Sequence, residues 1–245
     1  MSLRIDAHLP SQSLPVCRHG QIYYYVFLAC SKCNSQLLGC LEFMDDYSIE
    51  TGEELVRIAR KAITDFVSNA KFDRAPFAKH SRKFLQRHGI YVRVEHWPTR
   101  TPRGSMGFVN PSMPLGRSLI EAAIGAAEDK GFVPISHREL EHIVVEVDLL
   151  SKPEEVRGSA AAKLKKIKTG RDGVMIAYGY HAGAVLPISA SENNWKSEEM
   201  LRHACVNAGL DPDTWRREDV KVQKFTSQVF RELSPEGPTE EMIFG

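Results

Sequence analysis

Arg103, Gly104, Ser105, Met106 and Gly107 are the residues whose types and spacing most directly offer chemistry. Glycine reaches φ > 0 without steric cost. Gly104 and Gly107 therefore allow a tight bend with outward main-chain N–H groups, a geometry that suits an anion. Arg103 adds a planar, permanently charged fork that matches a carboxylate or phosphate. The competing reading is local: the two glycines simply let the chain turn between a strand and the next helix. The surrounding stretch Trp97–Pro114 favours a ligand-facing role, because it reads as a long Pro- and Gly-punctuated loop and such loops carry sites. Ser105 is a nucleophile only beside a base, and the local sequence supplies none. His96, His137, His142 and His181 are the candidates from elsewhere, each equally explained as a packed or capping residue.

A second charged turn, Gly170-Arg171-Asp172-Gly173, offers Arg171 and Asp172 to the opposite wall of a cleft; Asp and Gly are also ordinary turn residues before a strand. Trp195, ahead of a helix start, stacks on a ligand in one reading and anchors that helix in the core in the other. The run Lys163, Lys165, Lys166, Lys168 and Arg171 has no interleaved aromatics, which favours a solvated face over a nucleic-acid surface. Cys17, Cys30, Cys33 and Cys40 are a weak metal pattern. Cys30 and Cys33 make one knuckle, but no second close pair completes a tetrahedron, so neither a metal nor a cofactor is expected.

These residues need elements to position them. Thr51 and Glu54 form a capping-box pattern ahead of a helical stripe through Leu55, Ile58, Ala62 and Ile63. Residues 90–95 alternate as a half-buried strand, and 116–128 carry a helical stripe. Ser136 and Glu139 repeat the capping box, and Ile143–Leu150 (IVVEVDLL) is a strong strand. A short helix within 153–168, a strand from Val174 to Tyr178 and an edge strand at Ala184–Ile188 follow. A helix capped by Ser197 closes at Gly209, and Val220–Leu233 reads as one long last strand. Helices and strands do not alternate as βαβ units, which predicts α+β with a mainly antiparallel sheet.

The chain has 245 residues, 42% hydrophobic and 26% charged, with net charge +1. That composition excludes a disordered chain and provides no global field for nucleic acid or anionic lipid. No apolar run approaches the roughly 20 residues of a membrane-spanning helix, and a cytoplasmic location is expected. Residues 1–43 hold four of the five cysteines and few charges. They read as an N-terminal extension, with Met44 as the expected natural start of a 44–245 domain.

That domain resembles the AMMECR family. The resemblance rests on HGIYVRVE (88–95), RGSMGF (103–108), PSMPLGRSLIEAAIGAA (111–127), FVPISHRELEHIVVEVDLLSKPEEV (132–156), GRDGVMIAYG (170–179) and WKSEEMLRHACVNAGL (195–210). It implies an α+β fold with two unequal lobes around a cleft, and no defined reaction. Its signature Leu-Arg-Gly-Cys-Ile-Gly stands here as Pro102, Arg103, Gly104, Ser105, Met106 and Gly107, so thiol chemistry is not expected. Two functional expectations follow. The first is a small anionic or polar ligand bound between the lobes by Arg103, the 104–107 backbone, Arg171, Asp172 and Trp195. The second is a protein-interaction or regulatory module acting with Memo-like or radical-SAM partners.

Overall fold

The computed structural model describes residues 47–68, 82–110 and 112–242. The cysteine tetrad and the proposed extension lie outside these described residues. Among the described residues no helix is long and apolar enough to cross a membrane.

Helix α1 (Ile49–Val67) begins just ahead of Thr51, with extended Ser48 at its N-cap; it buries Leu55, Ile58, Ala59, Ala62 and Ile63, the expected stripe. Strands β1 (Gly89–His96) and β2 (Pro102–Phe108) pair antiparallel, followed by α2 (Leu115–Ala127). A 3-10 turn over His137–His142 carries the anticipated Ser136–Glu139 capping box. It leads into β3 (Ile143–Leu150), which is buried at every position. Then come β4 (Glu154–Glu155), α3 (Ala160–Lys166), β5 (Asp172–Tyr178) and β6 (His181–Val185). The strand expected over 184–188 ends at Val185. Pro187 instead occupies the first turn of a short helix, α4 (Pro187–Glu192), where its missing N–H costs nothing. Helix α5 (Ser197–Asn207) is capped at Lys196 rather than Ser197, and Gly209 at φ +71° closes it. The long strand β7 (Lys221–Glu232) and β8 (Thr239–Met242) complete the chain.

Among the described residues the strands form one eight-stranded antiparallel sheet in the order β2-β1-β3-β7-β5-β6, with β4 and β8 also on β7. The fold is α+β with a curled antiparallel sheet, as the element order predicts. β7 is its spine. Residues 221–226 pair with β5, and residues 227–231 pair with β3. Two apolar cores result. The larger packs α1 and α2 on β1 and β3, with Phe230 beneath them. The smaller packs α5 and Trp215 on β5, β6 and Val222. A third, small cluster of Leu150, Met175, Leu186, Ile188 and Phe225 lies against Tyr91 and Val109.

Candidate functional site

The segment expected to be a loop contains an edge strand. Ser105 pairs with Arg93 and Gly104 with Val94, but Glu95 pairs with Pro102, leaving Arg103 as the extra residue of a β-bulge. A bulge re-aims a side chain. The Arg103 guanidinium is buried and engaged: Nε donates to Glu139 Oε1 at 2.7 Å, and Nη2 to Val133 O at 2.7 Å. The Phe132 ring lies 5.9 Å from its Cζ. Hydrogen bonding from Arg103, opposed by partial burial and aided by the Ser136 cap, holds the Glu139 carboxyl down at about 2. Arg103 therefore ties β2 to the capping box.

The glycines also need correction. Neither Gly104 nor Gly107 is among the positive-φ residues. They provide space instead. A Cβ on Gly104 would lie 2.2 Å from Ala126 O, and one on Gly107 would lie 2.1 Å from Tyr91 Cδ2. The first lets α2 seat on β2; the second lets the Tyr91 ring lie across the strand. The Ser105 N–H, expected to be open to an anion, donates to Asp129 Oδ2 at 2.9 Å. Met106 is partly exposed and lies against α2, where a Cβ on Gly125 would come within 2.7 Å of its Cγ. Gly104→Ala must push the new methyl against a backbone oxygen, so a loss of about 2–3 kcal/mol is expected in urea unfolding; wild-type stability would refute this account of the glycine.

The other expected residues lie apart from β2. Arg171 Nε donates to Asp172 Oδ1 at 2.8 Å, and buried Asp172 accepts the Lys168 N–H at 2.9 Å, so the pair closes the turn ahead of β5. Trp195 stacks on His203 with centroids 3.8 Å apart and packs on the smaller core. Lys163 belongs to no solvated face: it is buried, and Nζ donates to Trp215 O at 3.0 Å and to Arg217 O at 3.3 Å. His181 Nδ1 contacts Ala208 O at 3.0 Å, while His96, His137 and His142 stand at the ends of β1 and of the 3-10 turn. A cavity of about 560 Å³ lies between α1 and the turn before β8. Its buried charges are matched, Arg60 with Glu232, as is Lys61 with Asp65 at its wall.

Unmatched groups occur on the sheet face turned away from α1 and α2. Residues paired across antiparallel strands share a face. Register therefore puts Tyr91, Arg93 and Glu95 of β1 beside Asp148, Glu146 and Val144 of β3. Arg231 and Val229 of β7 stand opposite Glu146 and Asp148, and Ser105 stands opposite Arg93. Arg93 Nη2 donates to Glu95 Oε1 at 2.7 Å, and Nη1 lies 3.2 Å from Glu146 Oε1. Glu192 of α4 reaches Arg93 from the rim at 3.4 Å, itself 48% exposed at the side chain. Tyr91 OH and Ser105 Oγ are 3.2 Å apart. Asp148 is 0% exposed, and neither of its carboxylate oxygens has a hydrogen-bond donor. Glu146 Oε1 and Oε2, Glu95 Oε2, Ser227 Oγ, Arg93 Nη1 and Arg100 Nη1 are likewise buried without a hydrogen bond.

The electrostatics follow from that burial. Desolvation raises the Glu146 carboxyl to about 7 against the pull of Arg93. Desolvation, then the neighbouring Glu146, pushes Asp148 well above the ordinary aspartate range, so it holds its proton more tightly than a solvated aspartate does. Burial disfavours the Arg93 cation, but Glu146, Glu192, Asp148 and Glu95 together raise its pKa further. Strongly displaced carboxyl groups held against a charge partner are characteristic of functional sites. Sequence reading singled out Ser105 at the border of this cluster and missed its centre. The signal was present as charges at every second position inside IYVRVEH and IVVEVDLL.

The chain matches the AMMECR1 family over residues 56–230. It belongs to that family. A Thermococcus onnurineus protein is 40% identical over 195 residues, covering 78% of this chain and 95% of its own length. Protein MJ0810 of Methanocaldococcus jannaschii is 38% identical over 192 residues, 78% of this chain and 94% of its own. The crystal structure of the uncharacterized protein PH0010 from Pyrococcus horikoshii superposes with a TM-score of 0.74 at 37% identity, covering 79% of this chain and 97% of that one. The family resemblance read from the sequence, with its α+β fold, is therefore correct. In this AMMECR1-family chain the Ser105 hydroxyl lies 3.2 Å from that of Tyr91, beside the carboxyl cluster.

Proposed function

We propose that this AMMECR1-family protein binds a small polar ligand at the charged end of its inner sheet face, with Arg93, Glu95, Glu146 and Asp148 as the contacting groups. The observation that carries the reading is Asp148, wholly buried with both oxygens lacking a donor. A buried polar group without a partner costs about 1–3 kcal/mol, more if charged, so such a group persists where something else rewards it. Ser105 and Tyr91 form one border, and Glu192 the rim. Arg103 supports the site indirectly, holding β2 through Glu139. Of the two ligand chemistries expected from sequence, polar fits better than anionic, because Glu95, Glu146, Asp148 and Glu192 would all face an added negative charge.

A thermal-shift screen against amines, polyols, amino acids, carboxylates and nucleotides tests the reading. A ligand present at 100 times its Kd stabilises the folded state by about 2.7 kcal/mol, a readily measured shift. The expected result is stabilisation by one of these classes that Asp148→Asn or Glu192→Gln diminishes. A hit unaffected by both variants, or no hit in any class, overturns it.

A further inference from the structure

Resting on that reading, we propose that the ligand class is a small organic cation, an alkylammonium or alkylguanidinium compound, whose head group meets Glu95, Glu146 and Asp148 and whose alkyl part lies toward Tyr91 and Leu150. Hydrogen-bond acceptors outnumber donors in the cluster. Within the cluster the acceptors without a hydrogen bond are Glu95 Oε2, both Glu146 oxygens and both Asp148 oxygens; the donors without one are Arg93 Nη1 and Arg100 Nη1, each ion-paired with one of those carboxylates, and the Ser227 hydroxyl can act either way. Even after one proton is shared between Asp148 and Glu146, acceptors remain in surplus. An ammonium brings three donors and a guanidinium five, with no acceptor.

Charge points the same way. The charged groups facing Glu146 and Asp148 are Arg93 and Glu95 from β1, Arg231 from β7 and Glu192 from α4, with Arg100 beyond Glu95. Two of the three guanidiniums are drawn elsewhere. Arg231 Nε donates to Glu240 at 3.1 Å and approaches Glu146 only to 4.0 Å. Arg100 Nη2 donates to Glu232 O at 3.0 Å and reaches Glu95 only at 3.7 Å. Four carboxyl groups are thus served closely by one arginine. The site also has an apolar side: Asp148 pairs with Tyr91, Leu150 is two residues along the same face, and Tyr91 and Leu150 belong to the small cluster around Phe225 and Met175. A head group on the acids therefore leaves its alkyl chain beside apolar surface.

The proton balances. The empty site holds a proton between Glu146 and Asp148; a bound cation takes that proton's place, and the proton leaves to buffer. Binding should therefore strengthen as pH rises and release protons.

The test uses the full chain and titration calorimetry with butylammonium, butylguanidinium, butyrate and butanol as probes, in two buffers of different ionisation enthalpy. The cations are expected to bind with release of up to one proton, and butyrate and butanol are not. Losing a charge-assisted hydrogen bond at Asp148→Asn or Glu146→Gln weakens binding about tenfold or more. Glu192→Gln, at the exposed rim, weakens it severalfold and serves if a buried variant does not fold. Binding of butyrate or butanol instead, lost in Asp148→Asn, overturns the cation while leaving the polar site standing. Cation binding without proton release, or unchanged in all three variants, also overturns it. Failure of every probe overturns the cation, and the polar site then stands or falls on the thermal-shift screen.

Discussion

Arg60→Ala lowers the unfolding free energy by about 3–5 kcal/mol, because it strands a buried carboxylate. Arg60 lies on α1 and is 6% exposed. Its Nε donates to Glu232 Oε1 at 2.9 Å and its Nη2 pairs with Glu232 Oε2. Nη1 and Nη2 also donate to Leu140 O at 3.1 Å and Ile143 O at 2.8 Å. Glu232 in turn accepts the Val145 N–H at 2.9 Å. One side chain thus joins α1, the 3-10 turn, β3 and β7, and its removal leaves Glu232, two carbonyls and their desolvation uncompensated. Replacing both charges, as in Arg60→Met with Glu232→Leu, costs less than Arg60→Ala alone, since no unpaired ion remains. Urea unfolding of the two variants checks the order; an Arg60→Ala loss below about 1 kcal/mol would match an exposed pair and contradict the assignment.

The second large effect is on pH. A carboxyl raised in the folded state binds its proton more tightly there than in the unfolded chain. Its stabilising contribution is then fully present below the unfolded value and is lost as pH rises through the folded one. For Glu146 that window runs from 4.5 to about 7. At about 1.4 kcal/mol per unit, the wild-type protein loses roughly 3 kcal/mol across it, and Asp148, raised in the same sense, adds to the loss. Glu139 acts oppositely: lowered from 4.5 to about 2 by Arg103, it withdraws stability as pH falls through that range. Stability should therefore peak near pH 4.5, where the two windows meet. Melting temperatures from pH 4 to 9 should decline above that maximum, and Glu146→Gln or Asp148→Asn should flatten the decline. A wild-type profile that is level or rising between pH 5 and 8 would mean that neither buried acid holds its proton.

The cation proposal and this profile share a cause. The same desolvation that lifts Glu146 and Asp148 makes a positively charged occupant favourable, so a bound alkylammonium compound should raise the melting temperature most where the protein alone is weakest, above pH 7. The two measurements stay separable, because the pH decline belongs to the empty protein.

Much of this was legible along the chain. The stripe of α1, the capping box at Ser136 and Glu139, the strand Ile143–Leu150 and the closure at Gly209 follow from periods of 3.6 and 2 and from short motifs, and the family from the resemblance of whole stretches. All of these are properties of neighbouring residues. Tertiary structure decided the rest. Whether Pro102–Phe108 was loop or strand depended on a free edge of β1, and whether Gly104 bent or merely made room depended on Ala126 of a helix packed above it. The alternating charges of Arg93, Glu95, Glu146 and Asp148 would face water on an open sheet. They become an unmatched buried cluster because β1 and β3 are central strands and α4 brings Glu192 over their second face. Burial is a sum over partners distant in sequence, and no local window contains that sum.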